Sequence, residues 1–236
     1  MSQLAQIRAD IVELSGSGKK VAPNARRHGI YCSFTLPGLD DMRAVRDTKT
    51  RYEDFKVPMS LEGKTFLDVG SNVGATIFEA ARRGANVTGV EFRQDRVDLC
   101  HRIAQLYGTP QAGPLMMEMR EHESIGRAKF YVANFNAMHE HENDPWNRPV
   151  HDVVWCCSVD TYIDDRAAFY AMLRSLCRET LYFESNVQRG FSELDAIRAL
   201  KDAGFDEVHY LGNGHSGGIS RKRKLYRATI SQRAPT

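Results

Sequence analysis

Apolar residues fall along this chain in two recurring spacings, and the spacing switches from segment to segment. Leu4, Ile7, Ile11 and Leu14 are three or four apart, which predicts an amphipathic helix ending at Ser15-Gly16-Ser17-Gly18. Phe66-Leu67-Asp68-Val69 is a short apolar run that predicts a buried strand, and Ala75 to Arg83 reads as the helix after it. The alternation then repeats. Ala85 to Val90, Ala128 to Ala133, Val150 to Cys157 and Thr180 to Phe183 are strand-like, while Asp95 to Tyr107, Asp164 to Cys177 and Phe191 to Ala203 each carry one apolar face at helical spacing. Glu207 to Leu211 and Arg221 to Ile230 predict a closing antiparallel hairpin around the glycine-rich loop Gly212 to Gly218. In the last strand, alternation puts Leu225 opposite in sense to Lys224 and Tyr226 and assigns part of the basic run to a polar face. Strands alternating with helices predict one α/β domain with a mostly parallel, seven-stranded sheet and helices on both faces. Residues 1–57 are read as an N-terminal helical extension or lid, and 58–236 as the main domain.

Composition narrows the class. With 236 residues, 42% of them hydrophobic, the chain can bury a sizeable core, which argues against an extended disordered protein. No run of about 18 apolar residues occurs, and Met1 to Asp10 lacks the basic-then-apolar order of a signal peptide, so a cytoplasmic protein without membrane contact is expected. Five cysteines without C-x-x-C spacing support neither a zinc site nor a disulfide framework, and Cys100 reads as core. A net charge of +2 does not mark a nucleic-acid binder, although Leu211 to Thr236 holds six Arg or Lys and no acid. His139-Glu140-His141-Glu142-Asn143-Asp144 offers ligand-type residues at i, i+2 spacing, which is poor for a helical metal site; a solvated loop with no metal is expected. Gly16 to Lys20 lacks the first glycine and the Ser or Thr of a phosphate loop, and the Met-rich Leu115 to Met119 reads as core filler.

The chemistry concentrates in Phe66-Leu67-Asp68-Val69-Gly70-Ser71-Asn72-Val73-Gly74, a strand, a glycine turn and the start of a helix. Gly70 and Gly74 free the backbone to bend or to approach a ligand, and the new helix offers unpaired N–H groups. Asp68 can accept hydrogen bonds from a ligand's cation or hydroxyls. Glu91, 21 residues after Gly70, ends the next apolar run and suits a ribose-binding acid. Asn72 stands where the dinucleotide pattern G-x-G-x-x-G would need glycine, which argues against a pyrophosphate cofactor.

In these residues the chain resembles the class I S-adenosylmethionine (SAM)-dependent methyltransferases, whose first motif is usually acid-x-Gly-x-Gly-x-Gly and whose second strand ends in a ribose-binding acid. The run P-x-S-L-x-G-K-x-x-L-D-V-G from Pro58 to Gly70, with Phe78 to Ala85 after it, is similar to methyltransferases grouped with the tRNA wobble-uridine modification enzymes. The resemblance implies a Rossmann-like fold and SAM as cofactor. It places Asp68, Gly70, Ser71, Asn72 and Gly74 along the methionine side, Glu91 at the ribose, and Phe92 and Asn134 at the adenine.

The acceptor is less defined. Amino-methylases of nucleic-acid bases commonly carry an acid-or-Asn-Pro-Pro-aromatic motif after the fourth strand, whereas this chain has Cys157-Ser158-Val159-Asp160-Thr161-Tyr162, which disfavours that chemistry. Cys156 and Cys157 lack the Pro-Cys loop of pyrimidine carbon-5 methylation and read as buried strand thiols. Candidate catalytic residues are Glu184 at a strand end, His215 in the glycine-rich loop, and Tyr162. Arg26, Arg27, His28, Tyr31, Phe34, Arg43, Arg46, Lys49, Arg51 and Tyr52 form either a solvated basic surface or a lid touching an anionic or planar substrate. The expected function is methyl transfer from SAM to an oxygen, nitrogen or carbon nucleophile of a small-molecule acceptor. A tRNA acceptor, a nicotinamide-dependent oxidoreductase and a non-catalytic RNA- or nucleotide-binding module are the alternatives.

Overall fold

A computed structural model of the chain describes residues 1–15, 30–108, 128–148, 150–185, 192–215 and 223–231. The Gly16 to Lys20 stretch, Arg26 to His28, the Met-rich segment Leu115 to Met119, Phe191 and loop residues 216–222 lie outside the described residues. In chain order the elements are α1 (Gln3–Ser15), β1 (Ile30–Cys32), β2 (Ala44–Arg46), α2 (Thr48–Asp54), β3 (Thr65–Val69), α3 (Ala75–Arg82), β4 (Asn86–Glu91) and α4 (Gln94–Tyr107). They continue with β5 (Lys129–Val132), β6 (His151–Cys157), α5 (Arg166–Leu176), β7 (Cys177–Ser185), α6 (Glu193–Asp202), β8 (Glu207–Asn213) and β9 (Lys224–Thr229).

Strands β3 to β9 form one seven-stranded sheet in the order β5-β4-β3-β6-β7-β9-β8, in which β9 alone runs antiparallel to its neighbours. The α/β architecture expected from the alternation of strands and helices is therefore present. Chain order reverses between β3 and β6, which opens a crevice beyond their C-terminal ends, the position where open α/β sheets bind ligands.

Side-chain alternation sorts the sheet into two cores. Phe66, Val153, Trp155, Tyr182 and Leu225 face the side covered by α1 to α4, while Leu67, Val69, Val154, Cys156, Leu181, Phe183, Tyr226 and Ala228 face α5 and α6. The same parity puts Asp68, Cys157 and Glu184 on the α1 to α4 side. In β9 the expected polar face is absent at Tyr226, which is fully buried because α5 and α6 cover the side that alternation alone leaves open.

Among the described residues of the first 57, β1 and β2 form a two-stranded parallel sheet beside the helices α1 and α2. Their side chains join the main core. Asp47 caps α2 by accepting from the Thr50 N–H at 2.7 Å, and that start aims one face of the helix at the sheet. Tyr52 then stacks on Trp155 with centroids 5.1 Å apart, Phe55 meets the same ring edge-on at 4.6 Å, and Tyr52 Oη donates to the Thr76 carbonyl at 2.9 Å.

Other boundaries differ for identifiable reasons. β7 spans nine residues and begins at Cys177, expected at the end of the preceding helix, because pairing with β6 extends as far as His151. β8 continues through Gly212 across a register shift against β9. The expected solvated loop at His139 to Asp144 contains a 3-10 turn over Met138–His141. There the His141 ring accepts from the Asn134 N–H at 3.1 Å and its other nitrogen faces Asp144 Oδ2 at 2.8 Å. Cys100 lies in the core as expected.

Candidate cofactor and acceptor site

The crevice at the strand switch, about 370 Å³ with the solvent-open mouth included, is lined by Asp68, Gly70 to Val73, Ala75, Thr76, Trp155, Cys157, and Tyr31, Cys32 and Arg51 from the N-terminal segment. Its floor is the glycine turn. Gly70 has φ +82°, and a Cβ there would lie 2.5 Å from Val159 Cγ2. Asn72 adopts φ +52°, the left-handed conformation that Asn tolerates better than most residues. The residue that departs from the glycine-rich pattern thus still supplies the backbone shape. Its side-chain oxygen accepts from the Val73 N–H at 2.8 Å and locks the bend. Ser71 Oγ is buried with no hydrogen-bond partner among the described residues.

Glu91, at the end of β4, reaches back to this turn and accepts from the Asn72 N–H at 2.9 Å. Arg96 Nη1 donates to its other oxygen at 3.2 Å, and Arg96 Nε donates to the Leu14 carbonyl at the end of α1. Asp68 is 3% exposed, and no described residue donates a hydrogen bond to its carboxyl. Burial pushes its carboxyl up, Arg51 opposes that and Glu91 adds to it, leaving Asp68 at about 7.

At the neighbouring end of β7 sits a carboxylate of the opposite kind. Glu184 is 1% exposed and is met by Arg223 Nη1 at 2.8 Å, Arg46 Nη1 at 3.2 Å and Arg51 Nη2 at 3.5 Å. The Ser158 hydroxyl donates to it at 2.5 Å. Burial alone would raise this carboxyl, but Arg51, Arg46 and Arg223 outweigh burial and hold it at about 2. Ser158 takes φ +65°, uncommon for a residue with a side chain, and its N–H donates to the Glu184 carbonyl at 2.7 Å. Tyr31 joins the cluster. Arg46 lies over its ring at 5.5 Å, and Arg223 donates to its hydroxyl at 3.0 Å. A group held at about 2 is a weak base near neutrality, and in this cluster Glu184 serves as counter-ion to three guanidiniums.

The remaining sequence candidates fall at different distances from this chemistry. Asp68, Gly70, Ser71 and Asn72 line the cleft, whereas Gly74 starts α3 behind it, where a Cβ would meet Phe78 at 2.6 Å; its glycine serves packing. Phe92 follows Glu91 and is 63% exposed. Asn134 lies beyond β5, and its side-chain oxygen accepts from the Asn136 N–H at 3.1 Å. Tyr162 is 72% exposed and does not line the cleft; its carbonyl accepts from Asn136 Nδ2. His215 also lies outside the cleft lining. Its ring is 83% exposed and pairs through Nδ1 with Asp54 Oδ1 at 2.7 Å, tying the hairpin to the end of α2.

The cysteines divide between the core and the cleft wall. Cys156 is fully buried and Cys157 half-buried, and burial pushes both thiols well above their ordinary value, which keeps them protonated and weakly nucleophilic. Arg46, Arg51, Tyr31 and Arg223 stand in the sequence only as members of basic or aromatic runs. The signal that distinguishes them is the company of one buried acid, which becomes visible only in three dimensions.

No protein-family model and no curated protein matches the chain. Solved structures do. The N-terminal domain of EvdMO1 with SAH bound (S-adenosylhomocysteine, SAM without its methyl group) superposes with a TM-score of 0.58 at 14% identity, covering 98% of each chain. The chain spans about half of the longer EvdMO1 structure, 47% of it. Magnesium protoporphyrin IX methyltransferase from Synechocystis PCC 6803 with bound SAM gives a TM-score of 0.55 at 18% identity, covering 78% of each chain. A SAM-dependent methyltransferase from Aquifex aeolicus gives 0.54 at 14% identity, over 79% of this chain and 91% of that one. The fold is the Rossmann-like fold of these methyltransferases.

Proposed function

We propose that the crevice binds SAM and that the protein transfers its methyl group to a nucleophile on a small-molecule acceptor. The observation that carries this reading is Asp68, a buried carboxyl facing the cleft with no hydrogen-bond donor of its own. A ligand ammonium supplies the missing partner, and the glycine turn provides room for the chain attached to it. Ser71 Oγ, likewise without a partner, is a second polar atom that a bound ligand can complete. Glu91 is pre-positioned by Asn72 and Arg96, with lone pairs left to accept ribose hydroxyls. Phe92 follows β4 and Asn134 follows the neighbouring β5, and they serve the adenine through the ring and the side-chain oxygen respectively. The residues present therefore fit the cofactor.

SAM, when bound, supplies a methyl group on a sulfonium that leaves as a neutral thioether. The chain's contribution is alignment and exclusion of water. Trp155, Tyr52 and Phe55 form an aromatic wall behind the cleft, and Arg51 and Tyr31 line it from the N-terminal segment.

The test is calorimetric titration with SAM and SAH on the wild type, Asp68→Ala and Glu91→Ala. Micromolar binding to the wild type, weakened at least about tenfold in each variant, is expected. Absence of heat with both ligands on a folded wild type overturns the proposal.

A further inference from the structure

Arg51 is a buried cation whose hydrogen bonding is incomplete. It is 3% exposed, yet its contacts are at the limit of hydrogen-bond range: Glu184 at 3.5 Å, Thr76 Oγ1 at 3.5 Å and the Cys32 sulfur at 3.4 Å. Arg51 Nε has no acceptor among the described residues, and neither does Arg223 Nε. A guanidinium carries five N–H donors in a fixed fork that matches a carboxylate or phosphate, and a buried one left this loosely paired is costly. Arg51 lines the cleft together with Tyr31, which Arg46 and Arg223 hold in place.

The charge balance points the same way. Three guanidiniums surround one carboxylate, Glu184, and an ionised Asp68 still leaves the group one positive charge in excess. SAM worsens the imbalance, since its ammonium, sulfonium and single carboxylate sum to one positive charge. Even with that carboxylate placed on Arg51, the excess remains for the acceptor to neutralise.

Building on the SAM reading above, we propose that Arg51, backed by Arg46, Arg223 and Tyr31, receives an oxyanionic group of the methyl acceptor, so that the acceptor is an acidic small molecule bearing a carboxylate or phosphate. Glu184 spaces the guanidiniums and keeps the empty receptor from repelling itself apart.

The experiment titrates the SAH-saturated protein with benzoate, with inorganic phosphate and with benzamide as the neutral control, following heat and tryptophan fluorescence. Benzoate is expected to bind at least about tenfold tighter than benzamide, the effect of one charge-assisted contact. Arg223→Gln should reduce that preference, and Glu184→Gln should strengthen anion binding about tenfold while making its melting temperature more anion-dependent than the wild type's. A merely structural cluster would leave the benzoate preference unchanged in Arg223→Gln, so loss of that preference with SAH affinity retained separates a receptor from it.

Equal binding of benzoate and benzamide to the SAH complex overturns the acceptor assignment alone. So does phosphate binding that is present without ligand and vanishes once SAH is bound, which would give the receptor to the donor's carboxylate. Absence of SAH binding overturns the cofactor reading, and the acceptor assignment with it.

Discussion

Two buried carboxyls face the same side of the sheet, one at the end of β3 and the other at the end of β7, and they are treated in opposite ways. Glu184 is surrounded by Arg46, Arg51, Arg223 and Ser158, and stays ionised down to about 2. Asp68 is as deeply buried, has only a distant Arg51 in its favour, and is poised at about 7. Burial alone therefore does not decide what an acid does in this fold. A carboxylate supplied with donors becomes structure, and one left without them is available to a ligand.

The largest expected effect breaks the first half of that contrast. Glu184→Ala strands three guanidiniums and should cost about 3–5 kcal/mol in urea unfolding, whereas Asp68→Asn at pH 8 should leave stability unchanged or raised, because it removes an unpaired buried charge. Equal losses in both variants would erase the distinction.

The pH dependence sharpens it. The folded-state value of Glu184 is depressed, so its contribution is fully present above the unfolded value near about 4.3 and is lost as pH falls toward about 2. Asp68 is raised, so its penalty is absent below about 3.9 and grows as pH rises toward about 7. Asp68→Asn should flatten the decline in stability between pH 4 and 7. SAH affinity in the wild type should rise through pH 7, as the ammonium partner requires the ionised form, and that rise should vanish in the variant.

The smallest effect concerns a pair outside both regions. His215→Ala removes an exposed contact to Asp54, and a loss under about 1 kcal/mol in thermal unfolding is expected. A much larger loss would mean that the hairpin is fastened to α2 more tightly than its exposure implies.

The β3 half of the comparison is legible in the sequence because it is local. Asp68, Gly70 and Asn72 fall within five consecutive positions, and Glu91 is one strand further on, so strand-turn-helix logic reaches all of them. The β7 half is not. Tyr31, Arg46, Arg51, Ser158, Glu184 and Arg223 come from the N-terminal segment, the end of β6, the end of β7 and the entry to β9, and nothing in their spacing says that they meet. Glu184 looks like a free acid at a strand end because its arginines are 133 and 138 positions away on one side and 39 on the other. Tyr226 failed as a polar-face residue for a related reason: alternation gives the parity of a strand and says nothing about which helices cover it.

Strand β9, made after β8, is inserted second from the edge of the sheet, between β7 and β8. As the chain leaves the ribosome, β7 therefore keeps an open edge and β8 has no neighbour to pair with until β9 has been made. Arg223 arrives with that strand and closes the ring of charge around Glu184. The glycine turn can be shaped early from its own residues, whereas the arginine cluster is completed only once β9 has been made.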